Sequence, residues 1–358
     1  HTNRVRTKVS GTFKNYITIK CTSETERAIL DFSSMSFDSN NRGIEIDGNY
    51  WRWLNVDICG AGDNGLYIGG SYNIVDGCRF FNNRDSGLQI GRQDGTYNQI
   101  GLWPSYNLIK NCTSFNNYDN ETFGENADGF AAKLTVGYGN IFDGCIAYRN
   151  SDDGWDLYAK TDTRNIGSVS MYNCVSFENG FLMDTQANNN ARFPTYNSSY
   201  DEAVTDSYLT RDGDGIGFKL GGSVMTGDVF MDNCLAFSNR LHGVGDNSNP
   251  GVLSVRNTTS YNNAAVIDND PTSETFGKIN VSGTTIEESS NIDLARSETS
   301  YNNFRNILSV NKKSNSLLAD KYRGSAEYSV FDMAKSKANR ITTNIDASSY
   351  VTSAAGTS

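Results

Sequence analysis

Proline and histidine are nearly absent from this 358-residue chain, which holds four of the first and two of the second. So few prolines exclude a proline-rich stalk or linker. The two histidines, His1 and His242, are too far apart and too few for a zinc site, and none of the seven cysteines falls in a CxxC pair. No apolar run approaches 18 residues, so no transmembrane helix is predicted. Positive charge is also short, with 31 basic against 41 acidic residues and a net charge of −10. That balance argues against nucleic acid and against an anionic membrane as partners. Helical periodicity is missing throughout. The chain opens on His1 with neither Met nor a signal peptide, so it reads as trimmed, and nothing about export follows from that.

What is present is glycine, asparagine and a repeat. The motif is Cys, two residues, an aromatic, any residue, then Asn. It occurs as Cys78-Arg-Phe-Phe81-Asn-Asn83, Cys112-Thr-Ser-Phe115-Asn-Asn117, Cys145-Ile-Ala-Tyr148-Arg-Asn150, Cys174-Val-Ser-Phe177-Glu-Asn179 and Cys234-Leu-Ala-Phe237-Ser-Asn239. Copies without the cysteine end on Tyr261 and Asn263 and on Tyr301 and Asn303. A glycine and an apolar residue follow, as in Gly87-Leu88, Gly129-Phe130, Gly154-Trp155, Gly215-Ile216 and Gly243-Val244. Short apolar alternations between turn residues are strands. One such unit cannot bury its own inner face, so the units must stack. Regular leucines are missing, and a propeller blade needs about 40–45 residues, longer than the shortest repeats. The fold class is therefore all-β, a single-stranded parallel β-helix with long loop insertions.

Stacking turns each repeated position into a column with a spacing of about 4.8 Å. Phe81, Phe115, Tyr148, Phe177, Phe237, Tyr261 and Tyr301 are expected to form an internal aromatic stack. Asn83, Asn117, Asn150, Asn179, Asn239, Asn263 and Asn303 form an asparagine ladder. Cys78, Cys112, Cys145, Cys174 and Cys234 form a column of buried free thiols, since stacked Cβ vectors run parallel rather than face to face. Residues 1–305 are assigned to the β-helix, with an N-terminal cap expected to be cut away because no polar cap precedes the first strand-like segment. Residues 306–358 are assigned to a tail or cap, with a short helix over Ala334–Asn339. The excursion from Phe181 to Gly213 is one long insertion in a single coil, on the binding side.

Candidate chemistry sits just before the repeat glycines. Asp128 precedes Gly129, and Asp152 and Asp153 precede Gly154, with Asp156 two residues beyond. Aligned on Gly129, Gly154 and Gly215, Asp128 and Asp153 share a column. Asp-Gly turn chemistry accounts for those two, but it does not need Asp152 and Asp156. Four carboxylates so close repel unless a cation lies between them, and hard oxygen ligands suit Ca²⁺. In the same frame Lys219 lies one coil past Asp156, in the column of Lys133 and Tyr158, with Gly217 leaving space before it. A lysine is ordinarily a solvated charge, but a neighbouring cation would depress its pKa and make it a base. A base beside a divalent cation fits β-elimination on a polyuronate. Cation charge on the uronate carboxylate acidifies the C5 proton, lysine takes it, and the C4–O bond breaks.

At these residues the sequence resembles polysaccharide lyase family 9, the parallel β-helix pectate lyases. The resemblance runs from about Tyr16 to Asn263 and is most specific in Glu125-Asn-Ala-Asp-Gly-Phe-Ala-Ala-Lys-Leu134, Asn150-Ser-Asp-Asp-Gly-Trp-Asp156 and Gly217-Phe-Lys-Leu-Gly-Gly222. It implies a right-handed helix of about ten coils, Ca²⁺ held by Asp128, Asp152, Asp153 and Asp156, and Lys219 as the proton-abstracting base. It further implies cleavage of polygalacturonate, an acidic plant cell-wall polysaccharide, to 4,5-unsaturated products, and a secreted, cell-surface or periplasmic bacterial location. The insertion before Lys219 is longer than the family carries.

Lys133, Tyr158 and Arg149 are the candidate substrate-binding residues, with Lys160 and Arg240 beside them. Each cation taken alone reads sooner as a solvated surface charge, and Tyr158 either lines the groove or packs between neighbours. The acidic run Asp201, Glu202, Asp206, Asp212 and Asp214 reads as a solvated loop ahead of a second cation site. Rival functions are a rhamnogalacturonan or other uronate lyase, a β-helix hydrolase with paired carboxylates, and a non-catalytic carbohydrate-binding solenoid. A capped β-helix needs no partner, so a monomer is expected.

Overall fold

The structure is a computed structural model. It describes residues 1–23, 25–119, 122, 124–180, 213–263, 266–267, 279–280, 291–294, 301–310, 321–322 and 330–332. Three parallel sheets of ten, nine and ten strands run the length of the molecule, and each sheet takes every third strand of the main series. The chain therefore winds through the first, second and third sheets in turn, as the repeats predict. One coil is Phe130–Ala132, Asn140–Asp143 and Ile146–Tyr148, and the next is Trp155–Asp156, Val169–Tyr172 and Val175–Phe177. Among the described residues the single helical element is a 3₁₀ turn at Ile100–Leu102. Most of the insertion, the expected helix over 334–339 and most of the tail lie outside the described residues, but the tail strands Ile307–Val310, Lys321–Tyr322 and Val330–Asp332 continue the first and third sheets past residue 305.

The core is the inside of the coil. Leu66, Leu88, Phe130, Trp155, Phe218, Val244 and Ile292 are all fully buried. Phe130, Trp155 and Phe218 stack with centroids 4.9 and 4.8 Å apart. This is the internal aromatic stack, and it is not the one the repeat suggested. Phe81, Phe115, Tyr148, Phe177 and Phe237 do stack, at 4.8 to 5.0 Å, but each is only half-buried, on the outer face of the third sheet. The reason is parity. Cysteine and aromatic are three residues apart, and strand side chains alternate, so both cannot point inward. The cysteines win: Cys78, Cys112, Cys145, Cys174 and Cys234 are buried, and all seven thiols are free. Tyr261 keeps register with Phe237, but Tyr301 belongs to the second sheet, opposite Val252.

The asparagine ladder is real and ends on a different asparagine from the one expected. The backbone N–H and Nδ2 of Asn83 both donate to Oδ1 of Asn117, at 3.1 and 2.9 Å. Asn117 does the same to Asn150, Asn150 to Asn179, Asn179 to Asn239 and Asn239 to Asn263. The last donation goes to Asn291, not Asn303, because Asn303 lies in the second sheet. A second ladder, which the repeat search overlooked, links Asn73, Asn107 and Asn140 at the entry to the second sheet. Its signal was an asparagine five residues before each of Cys78, Cys112 and Cys145.

These ladders satisfy backbone groups at the corners, where no strand partner reaches. Asn150→Ala removes the acceptor of two buried donors on Asn117. At about 1–3 kcal/mol per orphaned group, a loss of roughly 2–5 kcal/mol is expected in denaturant unfolding. A change under about 0.5 kcal/mol would mean that water replaces the amide.

Candidate active site

The turn from the third sheet into the first carries the candidate residues, and its geometry is set by glycine. Gly129, Gly154 and Gly217 are stacked so closely that a Cβ on Gly154 would stand 2.5 Å from the Gly217 carbonyl and 2.1 Å from Ser176 Oγ. The equivalent glycine in the third of these coils is therefore Gly217, not Gly215. Strand register agrees, pairing Phe130 with Trp155 and Trp155 with Phe218. Gly215 sits in the turn at φ +79, against Gly180 at φ +86, where the chain leaves for and returns from the insertion.

The two-residue correction moves Lys219 out of the column of Lys133 and Tyr158. It stands directly beside Asp156, in the outward column Ala131, Asp156, Lys219, Gly245, Asp293. Gly217 does not share the Asp156 column.

All four expected aspartates are brought together and buried. Asp128 and Asp153 have no exposed surface, and Asp152 and Asp156 keep only 3% and 4%. Backbone N–H groups orient them. Asp153 donates to Asp128 Oδ1 at 3.2 Å, Ile216 to Asp153 Oδ1 at 2.6 Å and Tyr158 to Asp156 Oδ1 at 2.9 Å. Asp152 accepts from Asn126 at 2.9 Å and Asp214 at 2.7 Å. Ser86 Oγ donates to Asp128 Oδ2 at 3.0 Å.

Two lysines enter this set. Lys219 Nζ lies 2.9 Å from Asp153 Oδ2 and 3.3 Å from Asp214 Oδ2. Lys133 is not a rim residue: its Nζ is buried, 2.7 Å from Asp128 Oδ2 and 3.4 Å from Asp156 Oδ2. Its side chain is engaged by the acids rather than offered to a ligand.

Asp214 was read as loop and proves to belong to the centre. The other members of that acidic run, residues 201, 202, 206 and 212, lie outside the described residues. Arg240, also read as a rim charge, reaches the Asp214 carbonyl at 3.3 Å and so braces the backbone beside Lys219. Tyr158 lines the site, its ring 5.9 Å from Lys219 Nζ and its hydroxyl 2.7 Å from Ser223 Oγ. Arg149 is not brought in, since it pairs with Glu178 one coil on at 2.6 Å. Lys160 closes a turn through its backbone N–H and carbonyl, with Thr163 and Arg164.

The electrostatics point one way. Burial pushes the Asp128 and Asp153 carboxyls well above the usual range and lifts Asp152 to about 6. Burial also opposes charge on Lys219, but Asp153, Asp156, Asp152 and Asp214 outweigh it and hold the ammonium well above the ordinary lysine range. Four buried carboxylates facing two ammonium groups are short of positive charge.

The donor set fits a calcium ion. Ligand oxygens at about 2.4 Å from one ion are at most about 4.8 Å apart, and oxygens of Asp128, Asp153 and Asp156 all lie within 4.8 Å of one another. Asp152 falls in a second such triad with Asp153 and Asp214, so five acids form two overlapping groups sharing Asp153.

Fold and site together define a parallel β-helix with a buried aspartate–lysine centre on the outer face of its first sheet. The family described as "Pel9A-like, right handed beta helix region" matches residues 1–315, and the chain belongs to it. A relative from Paenibacillus polymyxa named pectate lyase L is 40% identical over 239 residues, 67% of this chain and 48% of its own length. Pectate lyase L of Dickeya chrysanthemi is 31% identical over 66% of this chain and 48% of its own. The chain thus spans about half the length of the curated relatives it matches. Among solved structures, pectate lyase Pel9A superposes with a TM-score of 0.66 at 25% identity, covering 97% of this chain and 71% of that one. A rhamnogalacturonan lyase shares the fold, with a TM-score of 0.62 at 22% identity, over 92% and 72%. Among the described residues no helix is long and apolar enough to cross a membrane.

Proposed function

We propose that this chain is the catalytic part of a calcium-dependent pectate lyase. It would cleave α-1,4-linked galacturonan by β-elimination, leaving a 4,5-unsaturated sugar. The observation that carries this reading is the adjacency of Lys219 and Asp156 in one outward column, with Asp153 2.9 Å from the lysine. A hydrolase built on paired carboxylates would leave a buried lysine at the centre without a task. The relatives' names supply the substrate class, pectate.

Asp128, Asp152, Asp153 and Asp156 would hold the calcium ion, which supplies positive charge against the acids and the uronate carboxylate. Neutral Lys219 Nζ takes the proton from C5. The electron pair left on C5 forms the C4–C5 double bond as the C4–O bond breaks, and the departing oxygen is protonated from solvent. No water is added across the bond. Tyr158, its ring 5.9 Å from Lys219 Nζ, would border the sugar that presents C5, and Arg240 steadies the Asp214 segment behind the lysine. A polymeric, extracellular substrate would require the protein to act outside the cell or in the periplasm.

The test is ultraviolet absorbance of unsaturated product from polygalacturonate, with calcium and with chelator. Absorbance that grows with calcium and stops with chelator is the expected result. New reducing ends without absorbance would make the protein a hydrolase. Absorbance from rhamnogalacturonan alone would move the substrate.

A further inference from the structure

The outward column of the first sheet is the floor on which a polymer would lie. Along it stand Gln89, Ala131, Asp156, Lys219, Gly245 and Asp293, paired strand to strand. On one side Lys219 is closed in by Asp156 and the other acids. On the opposite side the next residue is Gly245.

Most glycines near the site are there because the backbone is crowded. Gly154 and Gly217 could not carry a Cβ without meeting a carbonyl oxygen at 2.5 or 2.6 Å. Gly245 differs. Its φ is not left-handed, and the nearest atoms a Cβ there would meet are His242 Cδ2 at 3.6 Å, Ile216 Cγ2 at 3.7 Å and His242 Cβ at 3.8 Å, all ordinary contacts. Neither a turn nor close packing demands glycine at this strand position. Glycine inside a strand is destabilising against alanine and often marks where a ligand approaches the backbone.

Two strand spacings, about 10 Å, separate Lys219 from Asp293 across this bare position. The far end is closed by Asp293, whose Oδ2 lies 3.4 Å from buried His242 Nε2.

We infer that Gly245 is a specificity-determining position, the side-chain-free floor of the slot in which one uronate ring lies against Lys219. The inference rests on the uronate-lyase reading of the site and adds the side from which the ring meets the base. It further implies that side-chain volume at position 245 controls which substrates reach it.

Gly245→Ala and Gly245→Val test this, valine being well suited to a strand. Oligogalacturonate binding is measured by calorimetry with calcium present, alongside product absorbance, thermal unfolding and calcium affinity. The valine variant is expected to keep its melting temperature and calcium affinity, because the nearest atoms to a Cβ at this position belong to His242 and Ile216 rather than to the four aspartates. It is expected to weaken oligogalacturonate binding and raise KM at least tenfold, with alanine intermediate. Should valine disturb folding, alanine decides by the same readouts. Wild-type binding in a folded valine variant overturns the inference, as does a wild-type protein that binds no oligogalacturonate. Binding lost in the variants of a protein that makes no unsaturated product would uphold the slot and overturn the lyase reading.

Discussion

Lys219→Met is expected to lower kcat on polygalacturonate by about 10³-fold or more, the scale of a positioned general base acting alone. Calcium affinity and KM should be far less affected. Methionine keeps the length of the stem and removes the Nζ that lies 2.9 Å from Asp153 and 3.3 Å from Asp214. A merely structural ammonium would show a different pattern, in which thermal stability falls and kcat follows it. The pH dependence carries a sign as well. Burial acts against the charge, but the surrounding carboxylates hold the Lys219 proton well above the ordinary lysine range. The base form is therefore the minor one at neutral pH, and kcat/KM should rise by up to tenfold per pH unit on its alkaline-going limb. With more calcium the limb should move to lower pH, since positive charge beside Asp153 and Asp156 weakens the lysine's hold on its proton. A kcat within tenfold of wild type in Lys219→Met would remove this residue from the role of base.

How far the sequence was legible depended on periodicity. The Cys-x-x-aromatic-x-Asn repeat located the coils, the thiol column and most of the asparagine ladder, because a solenoid forces equivalent residues into contact. The same pattern misplaced the aromatic column. A cysteine and an aromatic three residues apart cannot both face inward, and spacing alone does not say which does. It also misplaced Tyr301 and Asn303, where a copy of the motif falls in the second sheet. In the site, Asp128, Asp152, Asp153 and Asp156 could be read from their distance to a glycine. Asp214-Gly215-Ile216-Gly217 offered two glycines, and only strand register shows that Gly217 sets the frame. Lys133 looked like a surface cation because a buried lysine is rare. Its partners, Asp128 five residues back and Asp156 on the next coil, are visible only in three dimensions. Asp214 was hidden for the opposite reason, since it closes an acidic stretch that otherwise resembles a solvated loop.

Lys133 leads to the second large effect. Its ammonium hydrogen-bonds Asp128 at 2.7 Å and lies 3.4 Å from Asp156, so it already occupies oxygens that would bind a metal. A divalent cation entering there must displace it or share the acids with it. Two positive charges about 4 Å apart at an effective dielectric near 20 repel by several kcal/mol before relaxation. Lys133→Met, which keeps the apolar stem, is therefore expected to tighten calcium binding at least tenfold, about 1.4 kcal/mol. The metal-free protein should suffer instead. Asp128 is fully buried, and losing its ion-pair partner should destabilise it by about 3–5 kcal/mol, the usual cost of breaking a buried pair from one side. Saturating calcium should then narrow the stability gap by about 1.4 kcal/mol, because a ligand stabilises the fold by RT ln(1 + [L]/Kd) and the variant's Kd is about tenfold smaller. Calcium titration calorimetry and thermal unfolding, each starting from chelated protein, measure the two halves separately. Weaker calcium binding in the variant would reverse the assignment: Lys133 would then hold Asp128 and Asp156 in place for the ion rather than compete with it.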